Sequence, residues 1–359
     1  MHESANFEDI SSAYFEELGG WSYILNLLFT KQNLTEELAK LTLSEILLGN
    51  ATESQIAAFA AALRVKGETV NEMSGFVAAM LENAETIPLT GDMVDTCGTG
   101  GDRSGSINVS TMAACVVAGS GAKVCKHGGR AASSKAGSAD VLEELGVAID
   151  ASPERVAQCI LEAGFGFCFA PRFHPAMRHA APVRKSLGAP TIFNLLGPLA
   201  NPARTNRQVI GVGDRTMAET MLGVLEKHHT VHAMVLYGHD GMDEISTVAP
   251  STIHESRLLE NGKYKRDTYQ IAAGDFGFPP ATKEDLTGGD VKENSVHVLE
   301  ILSGKRGPKR DIVVLNAAAG LIVAGKSDDF ASGIRYAEEI IDSGAAMTAL
   351  NRLIEVSNL

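Results

Sequence analysis

Over the first eighty-odd residues the apolar positions recur at helical spacing, with no strand alternation between them. Thr52-Glu53-Ser54-Gln55 reads as a capping box, followed by Ile56, Phe59 and Leu63 on one face and a stop at Gly67. Thr69 to Glu72 repeats the box ahead of Met73, Phe76, Val77 and Met80 at i, i+3, i+4 and i+7. Leu34, Leu38, Leu41 and Leu48 predict a helix ending at Gly49, and residues 21–29 (WSYILNLLF) predict another. The pattern breaks near Pro88 and Gly91. From Met93 onward short β-rich runs alternate with helical ones. Strands are expected at MVDTC, AKVCKH, FGFCFA, TIFNLL, RQVIGVG and VHAMVLYG, and helices over residues 108–118, 138–145, 153–163 and 217–226. Ser152-Pro153 supplies an N-cap and first-turn pair for the third of these. The tail from Gly289 reads as mainly helical.

Strand–helix alternation of this kind predicts an α/β domain with a mainly parallel central sheet and ligands at the carboxyl ends of its strands. Residues 174–188 (HPAMRHAAPVRKSLG) form a helix-like island between strands, placed to cross back to the N-terminal helices. The predicted fold class is therefore α/β. A small helical domain, discontinuous in sequence, takes residues 1–90 and is joined by 174–188. A large α/β domain with a helical C-terminal region takes 91–173 and 189–359, and a cleft is expected between the two.

Composition narrows the function. The net charge of −13 speaks against broad nucleic-acid or anionic-membrane binding, which needs a positive footprint, so an anionic ligand must be held by a local basic pocket or a metal. Glycine, 36 residues or about a tenth of the chain against a usual ~7%, is concentrated in particular loops. Cys97, Cys115, Cys125, Cys159 and Cys168 are odd in number, form no CxxC pair and sit among apolar neighbours, as reduced thiols of a cytoplasmic protein do. The acidic start MHESANFEDISS has no apolar signal core, and no apolar run nears the ~20 residues of a membrane helix.

Three loops carry candidate chemistry. MVDTCGTGGDRSGSINVST follows a strand and opens a helix; glycines let backbone N–H groups approach a phosphate, and the helix N-terminus adds free donors. It matches neither GxxxxGK[ST] nor GxGxxG with a ribose-binding acid, which argues against a nucleoside triphosphatase or a Rossmann dehydrogenase. The bland alternative is a mobile surface loop. KVCKHGGRAASSKAGSADVLEELG again runs strand, polar loop, helix, and gathers Lys126, His127, Arg130 and Lys135 with Ser133, Ser134 and Ser138 in an otherwise acidic chain. In YGHDGMDEIS, Asp240-Gly241 is turn chemistry, while Asp243-Glu244 is either a solvated acidic turn or a pair of hard oxygen ligands for Mg²⁺.

Taken together, GTGGD, NVST, KHGGRAASSKAGSADVLEELG, GFGFCFAPRFHPAMRHAAPVRK, TIFNLLGPLANPA and DGMDE resemble, in order and over nearly the whole chain, the anthranilate phosphoribosyltransferase family of tryptophan biosynthesis. The resemblance implies a nucleoside phosphorylase/phosphoribosyltransferase-like fold, a homodimer formed through the helical domain, Mg²⁺ as cofactor, and 5-phosphoribosyl 1-diphosphate and anthranilate as substrates. By motif, it puts the phosphoribosyl donor on Gly98, Gly101, Asp102 and Ser106. Asn108, Val109, Ser110 and Thr111 would continue that site, with Lys126, His127, Gly128, Gly129, Arg130, Ala131, Ala132, Ser133, Ser134 and Ser138 completing it. Ser110, Asp243 and Glu244 would hold the metal. Lys126 and Arg130 would stabilise the departing diphosphate, Arg184 would face the anthranilate carboxylate, and His127 and His174 would lie near the aromatic substrate or its access path.

One departure stands out. The family usually reads KHGNR where this chain has KHGGR, so Gly129 replaces an asparagine expected near anthranilate. A lost side-chain hydrogen bond of roughly 1 kcal/mol predicts weaker anthranilate binding or broader acceptance of substituted anthranilates, not a lost reaction. Two rival readings remain at this level. One is a pyrimidine nucleoside phosphorylase, which would use inorganic phosphate and no carboxylate-bound metal. The other is a nucleic-acid-binding relative without transferase activity, which the charge of −13 opposes.

Overall fold

A computed structural model describes residues 7–131 and 135–359, and the chain divides into two compact units. The first unit takes residues 1–84 and 174–200. Its helices are Phe7–Glu17, Gly20–Phe29, Glu36–Leu47, Glu53–Lys66 and Val70–Glu82. Both expected capping boxes are present, at Thr52 with Gln55 and at Thr69 with Glu72. Phe15, Trp21, Phe59 and Phe76 form a buried edge-to-face chain with ring centroids 5.7, 6.0 and 5.6 Å apart. The helix Glu36–Leu47 buries Ala39, Leu43, Ile46 and Leu47, whereas Leu38, Leu41 and Leu48 are only half-buried and Leu34 precedes the N-cap Thr35. The expected helix is present, and its buried face is set by Ala39, Leu43, Ile46 and Leu47. Close approach decided it: a Cβ at Gly75 of Val70–Glu82 would lie 2.1 Å from the Glu36 carbonyl, so that helix packs tightly on the Ala39 side.

The inserted segment belongs to this unit and extends twelve residues past the expected end at 188, while the first break comes at 84/85 instead of 90/91. It contains the turn Pro175–His179 and the helices Ala181–Leu187 and Ile192–Leu199. The second helix overturns the strand expected at TIFNLL. A short apolar run does not distinguish a strand from a buried helix, and here Asn194 Oδ1 accepts the Thr191 N–H at 3.0 Å to start a helix. His179 packs its ring against Gly49, where a Cβ would come within 2.8 Å of it.

The second unit, residues 85–173 and 201–359, is built on a seven-stranded sheet. Its strands are β1 (Val94–Gly98), β2 (Val124–Gly128), β3 (Phe165–Phe169), β4 (Arg207–Gly211), β5 (His232–Gly238), β6 (Ser251–Leu258) and β7 (Tyr264–Ile271), in the order β3-β2-β1-β4-β5-β6-β7. The first five are parallel, and β6 and β7 continue antiparallel. The β6–β7 hairpin is absent from the sequence reading because its strands are polar: His254 and Ser256 are buried, and Lys265 to Thr268 are exposed. Asn261-Gly262, with Gly262 at φ 75°, was the signal available for it. Helices Val291–Leu302, Pro308–Val323, Phe330–Asp342 and Ala345–Ser357 make the tail.

Chain order reverses between β1 and β4, and their register pairs Gly98 with Gly211 at the two carboxyl ends. In an open α/β sheet that reversal opens a crevice outside the strand ends.

Candidate functional site

Two glycines at that crevice have no alternative. A Cβ on Gly98 would lie 2.3 Å from Asp243 Oδ2, and one on Gly211 would lie 1.5 Å from the Asp243 carbonyl oxygen. The acidic turn after β5 is therefore laid directly across the ends of β1 and β4. The Gly100 N–H donates to Asp243 Oδ2 at 2.8 Å, joining the glycine loop to the turn across 143 positions of sequence.

Asp102 completes the group. One carboxylate oxygen from each of Asp102, Asp243 and Glu244 lies within 4.8 Å of the others. Asp102 Oδ2 and Glu244 Oε2 are buried with no hydrogen-bond partner among the described residues. Burial, then repulsion from Asp102, pushes Asp243 up to about 7. Glu244 is raised well above the carboxylate range by burial and then by Asp243, with Lys126 pulling the other way. Crowded, unpaired hard oxygens of this kind fit a divalent cation such as Mg²⁺, which would satisfy the orphaned atoms and remove the repulsion. The sequence reading gave Asp102 to the phosphoribosyl donor; the structure groups it with Asp243 and Glu244. Ser110 lines the same small cavity as those two acids, at the start of the helix Val109–Gly119.

Lys126 is 1% exposed and points inward from β2. Its Nζ donates to the Thr96 carbonyl and, at 3.1 Å, to Ser110 Oγ. It therefore leaves the Ser110 hydroxyl hydrogen for another acceptor and sets a positive charge beneath the carboxylates. Asp95, fully buried in β1, accepts the His127 N–H at 3.2 Å and Asn201 Nδ2 at 2.8 Å, and burial raises it to about 6 against the pull of Lys126. Asn201 also donates to the Cys125 carbonyl at 2.8 Å. His127, 5% exposed at the end of β2, is held by this backbone network.

The glycine loop is pinned from the C-terminal side. Ser106 bridges to Thr287, the Gly288 N–H donates to Gly105 at 2.8 Å, and Ile107 donates to Leu286 at 3.1 Å. Asn108, the N-cap of Val109–Gly119, makes no cap bond with its side chain; its Nδ2 donates to the Ala136 carbonyl and its Oδ1 accepts from Asn294. Val109 and Thr111 are buried, and Thr111 Oγ1 has no hydrogen-bond partner among the described residues. Gly101 is left-handed at φ 79° in open space.

The second loop is organised by Asp140, which sequence reasoning passed over. Its Oδ2 accepts the N–H groups of Ala131 and Gly137, each at 2.9 Å. Gly137 is obligatory, since a Cβ there would lie 2.4 Å from Ala131 N. Gly128 is close to Phe167 and Ser138 Oγ, whereas a Cβ on Gly129 would meet nothing within 4 Å among the described residues. Ala132, Ser133 and Ser134 lie outside the described residues. Arg130, expected at the diphosphate, ion-pairs with Asp140 at 2.9 Å and Glu143 at 2.7 Å, and lies over the Phe169 ring. Helical spacing would have revealed both partners, on the helix Ser138–Glu144.

The remaining two expected residues are in the helical unit. Arg184 is exposed on Ala181–Leu187. His174 is buried: its ring bonds to the Ala200 carbonyl at 2.9 Å, and burial lowers it to about 4. It joins the first and last residues of the inserted segment. It acts there as a clasp on that segment.

Comparison with known proteins agrees with this fold. The helical bundle domain of the Glycosyl transferase family matches residues 22–84, and that family's a/b domain matches residues 90–347. A relative from Chloroflexus aggregans named anthranilate phosphoribosyltransferase is 48% identical over 328 residues, 91% of this chain and 95% of its own. The crystal structure of anthranilate phosphoribosyltransferase from Thermus thermophilus is similar at a TM-score of 0.87 and 38% identity, covering 94% of this chain and 99% of its own. The Saccharomyces cerevisiae enzyme in complex with PRPP and Mg has a TM-score of 0.86 at 28% identity, covering 94% and 98%.

Proposed function

The chain belongs to the anthranilate phosphoribosyltransferase family, and from that premise we propose that it transfers the 5-phosphoribosyl group of 5-phosphoribosyl 1-diphosphate to the amine of anthranilate, releasing diphosphate, in tryptophan biosynthesis. The observation that carries the proposal is the group of Asp102, Asp243 and Glu244 against the glycine loop, at the carboxyl ends of β1 and β4. A nucleoside phosphorylase reading has no use for those carboxylates and is not favoured.

Breaking the C1–O bond puts positive charge on the ribose and negative charge on the leaving diphosphate, so the main catalytic need is charge stabilisation. Mg²⁺ held by Asp102, Asp243 and Glu244, with Ser110 alongside, would supply it. Backbone N–H groups of the loop at Gly98, Gly101 and Ser106, and of the helix start at Asn108 to Thr111, are suited to the phosphate oxygens. Lys126 fixes the Ser110 hydroxyl and offsets the carboxylate charge from beneath. His127 and Gly128 to Ala131, with Ser138, would line the donor from the second loop. Arg184 is the residue suited to the anthranilate carboxylate. The attacking arylamine is neutral at pH 7, so no strong base is needed, and its surplus proton can pass to His127 or water. Holding amine and C1 in line supplies the rest.

We further infer a homodimer in the cytoplasm. Tyr14, Tyr23, Phe29 and Val65 are exposed apolar side chains of the helical unit, and five buried free thiols suit a reducing compartment. Light scattering of the purified protein tests the first point. The reaction itself is tested by loss of anthranilate fluorescence with 5-phosphoribosyl 1-diphosphate and Mg²⁺. Activity that survives EDTA, or that needs inorganic phosphate instead, overturns the reading.

A further inference from the structure

Asn316 stands in the middle of the helix Pro308–Val323, 6% exposed, among apolar and small residues. A carboxamide there is a poor helix former, and burying it is costly unless its groups are bonded. They are. Oδ1 accepts the Ile245 N–H at 2.9 Å, while Nδ2 donates to the Ile245 carbonyl at 2.9 Å and to the Ile312 carbonyl, one turn back, at 2.9 Å. The side chain acts as a one-residue strand, gripping both backbone groups of the residue that follows Glu244. The Ile245 side chain is itself fixed in the apolar core.

The charges explain what the grip does. Three carboxylates within 4.8 Å push apart, and the turn that carries two of them needs anchors on both flanks. On one side Gly238 donates to the Met242 carbonyl at 2.9 Å and Gly100 holds the Asp243 carboxylate. On the other side the anchor is Asn316. Its helix also packs closely on Val109–Gly119, where a Cβ at Gly320 would lie 2.5 Å from Val117 Cγ2, so the acidic turn and Ser110 share one framework. Asn316 lines the same small cavity as Ser110, Asp243 and Glu244 without adding charge.

We propose that Asn316 is a positioning residue for the divalent-cation site, holding the Asp243–Glu244 turn in the geometry that binds the ion; this rests on the cation reading given above. The test is binding without turnover: Mn²⁺ titrated into the full-length protein with diphosphate present, free Mn²⁺ being read by electron paramagnetic resonance. Asn316→Leu, similar in size but unable to bond Ile245, should weaken Mn²⁺ binding at least tenfold while circular dichroism shows a folded protein. Asn316→Gln keeps the amide but displaces it by one methylene, and should weaken binding several-fold. Val314→Ala, buried on the same helix, should lower the thermal midpoint and leave Mn²⁺ affinity unchanged. If Asn316→Leu does not fold, Asn316→Gln alone decides, and wild-type affinity in it overturns the role of Asn316. A wild-type protein that binds no Mn²⁺ overturns the cation site itself.

Discussion

Replacing Gly98 by alanine would put a methyl carbon 2.3 Å from Asp243 Oδ2 and 3.0 Å from its Cγ. Carbon and oxygen need roughly 3.3 Å, so the carboxylate has to swing by about 1 Å, away from the Gly100 N–H that now holds it at 2.8 Å. A hydrogen bond to a charged group contributes about 1.5–3 kcal/mol, which corresponds to about 10- to 150-fold in affinity. Gly98→Ala should therefore raise the half-saturating Mg²⁺ concentration of the anthranilate fluorescence assay by about 10- to 150-fold. The obstructing atom belongs to a side chain that can rotate, so the melting temperature should fall by only a few degrees. Two comparisons isolate the argument. At Gly211 the obstruction is backbone, the Asp243 carbonyl oxygen at 1.5 Å, so Gly211→Ala should fail to give folded protein. At Gly129 nothing lies within 4 Å among the described residues, so Gly129→Ala should melt like wild type. A Gly98→Ala protein with wild-type Mg²⁺ dependence would refute the reasoning, because the carboxylate would then not need its present position.

Other expectations follow from the same geometry. Asp102→Asn and Glu244→Gln should each raise the Mg²⁺ requirement more than tenfold, and Asp102→Asn should, without metal, raise the melting temperature, since it removes the carboxylate whose repulsion pushes Asp243 up. Gly129→Asn should remain folded and lower the apparent Michaelis constant for anthranilate about fivefold, the equivalent of one hydrogen bond of ~1 kcal/mol; an unchanged constant removes the idea. His174 titrates near 4 when folded against about 6.5 unfolded, so the stability from its neutral ring is complete above pH 6.5 and is lost as pH falls toward 4, up to about 3 kcal/mol. Amide exchange over residues 174–200, corrected for intrinsic rates, should accelerate across that window in wild type and not in His174→Gln.

Local signals carried most of the architecture. Capping pairs at Thr52 and Thr69 mark helix starts because their chemistry closes within four residues, and the strand–loop–helix order around Gly98 and Lys126 marks the crevice for the same reason. Contacts between distant segments were not legible. Nothing near Asp102 in sequence indicates Asp243, 141 positions away, and only the β1–β4 register brings them together. Residue type also misled where competition decides the outcome. Arg130 reads as an unpaired cation, yet Asp140 and Glu143 on the next helix pair with it. TIFNLL reads as a strand, yet Asn194 starts a helix there.

The bond from His174 to Ala200 has a consequence for biosynthesis. During translation the N-terminal helices emerge first, but the segment that completes their packing ends at residue 200, after β1, β2 and β3 have left the ribosome. The nascent helical bundle must wait through more than a hundred codons with part of its apolar face uncovered. Its final closure therefore comes late, as an event that draws a distant stretch of polypeptide back to the beginning.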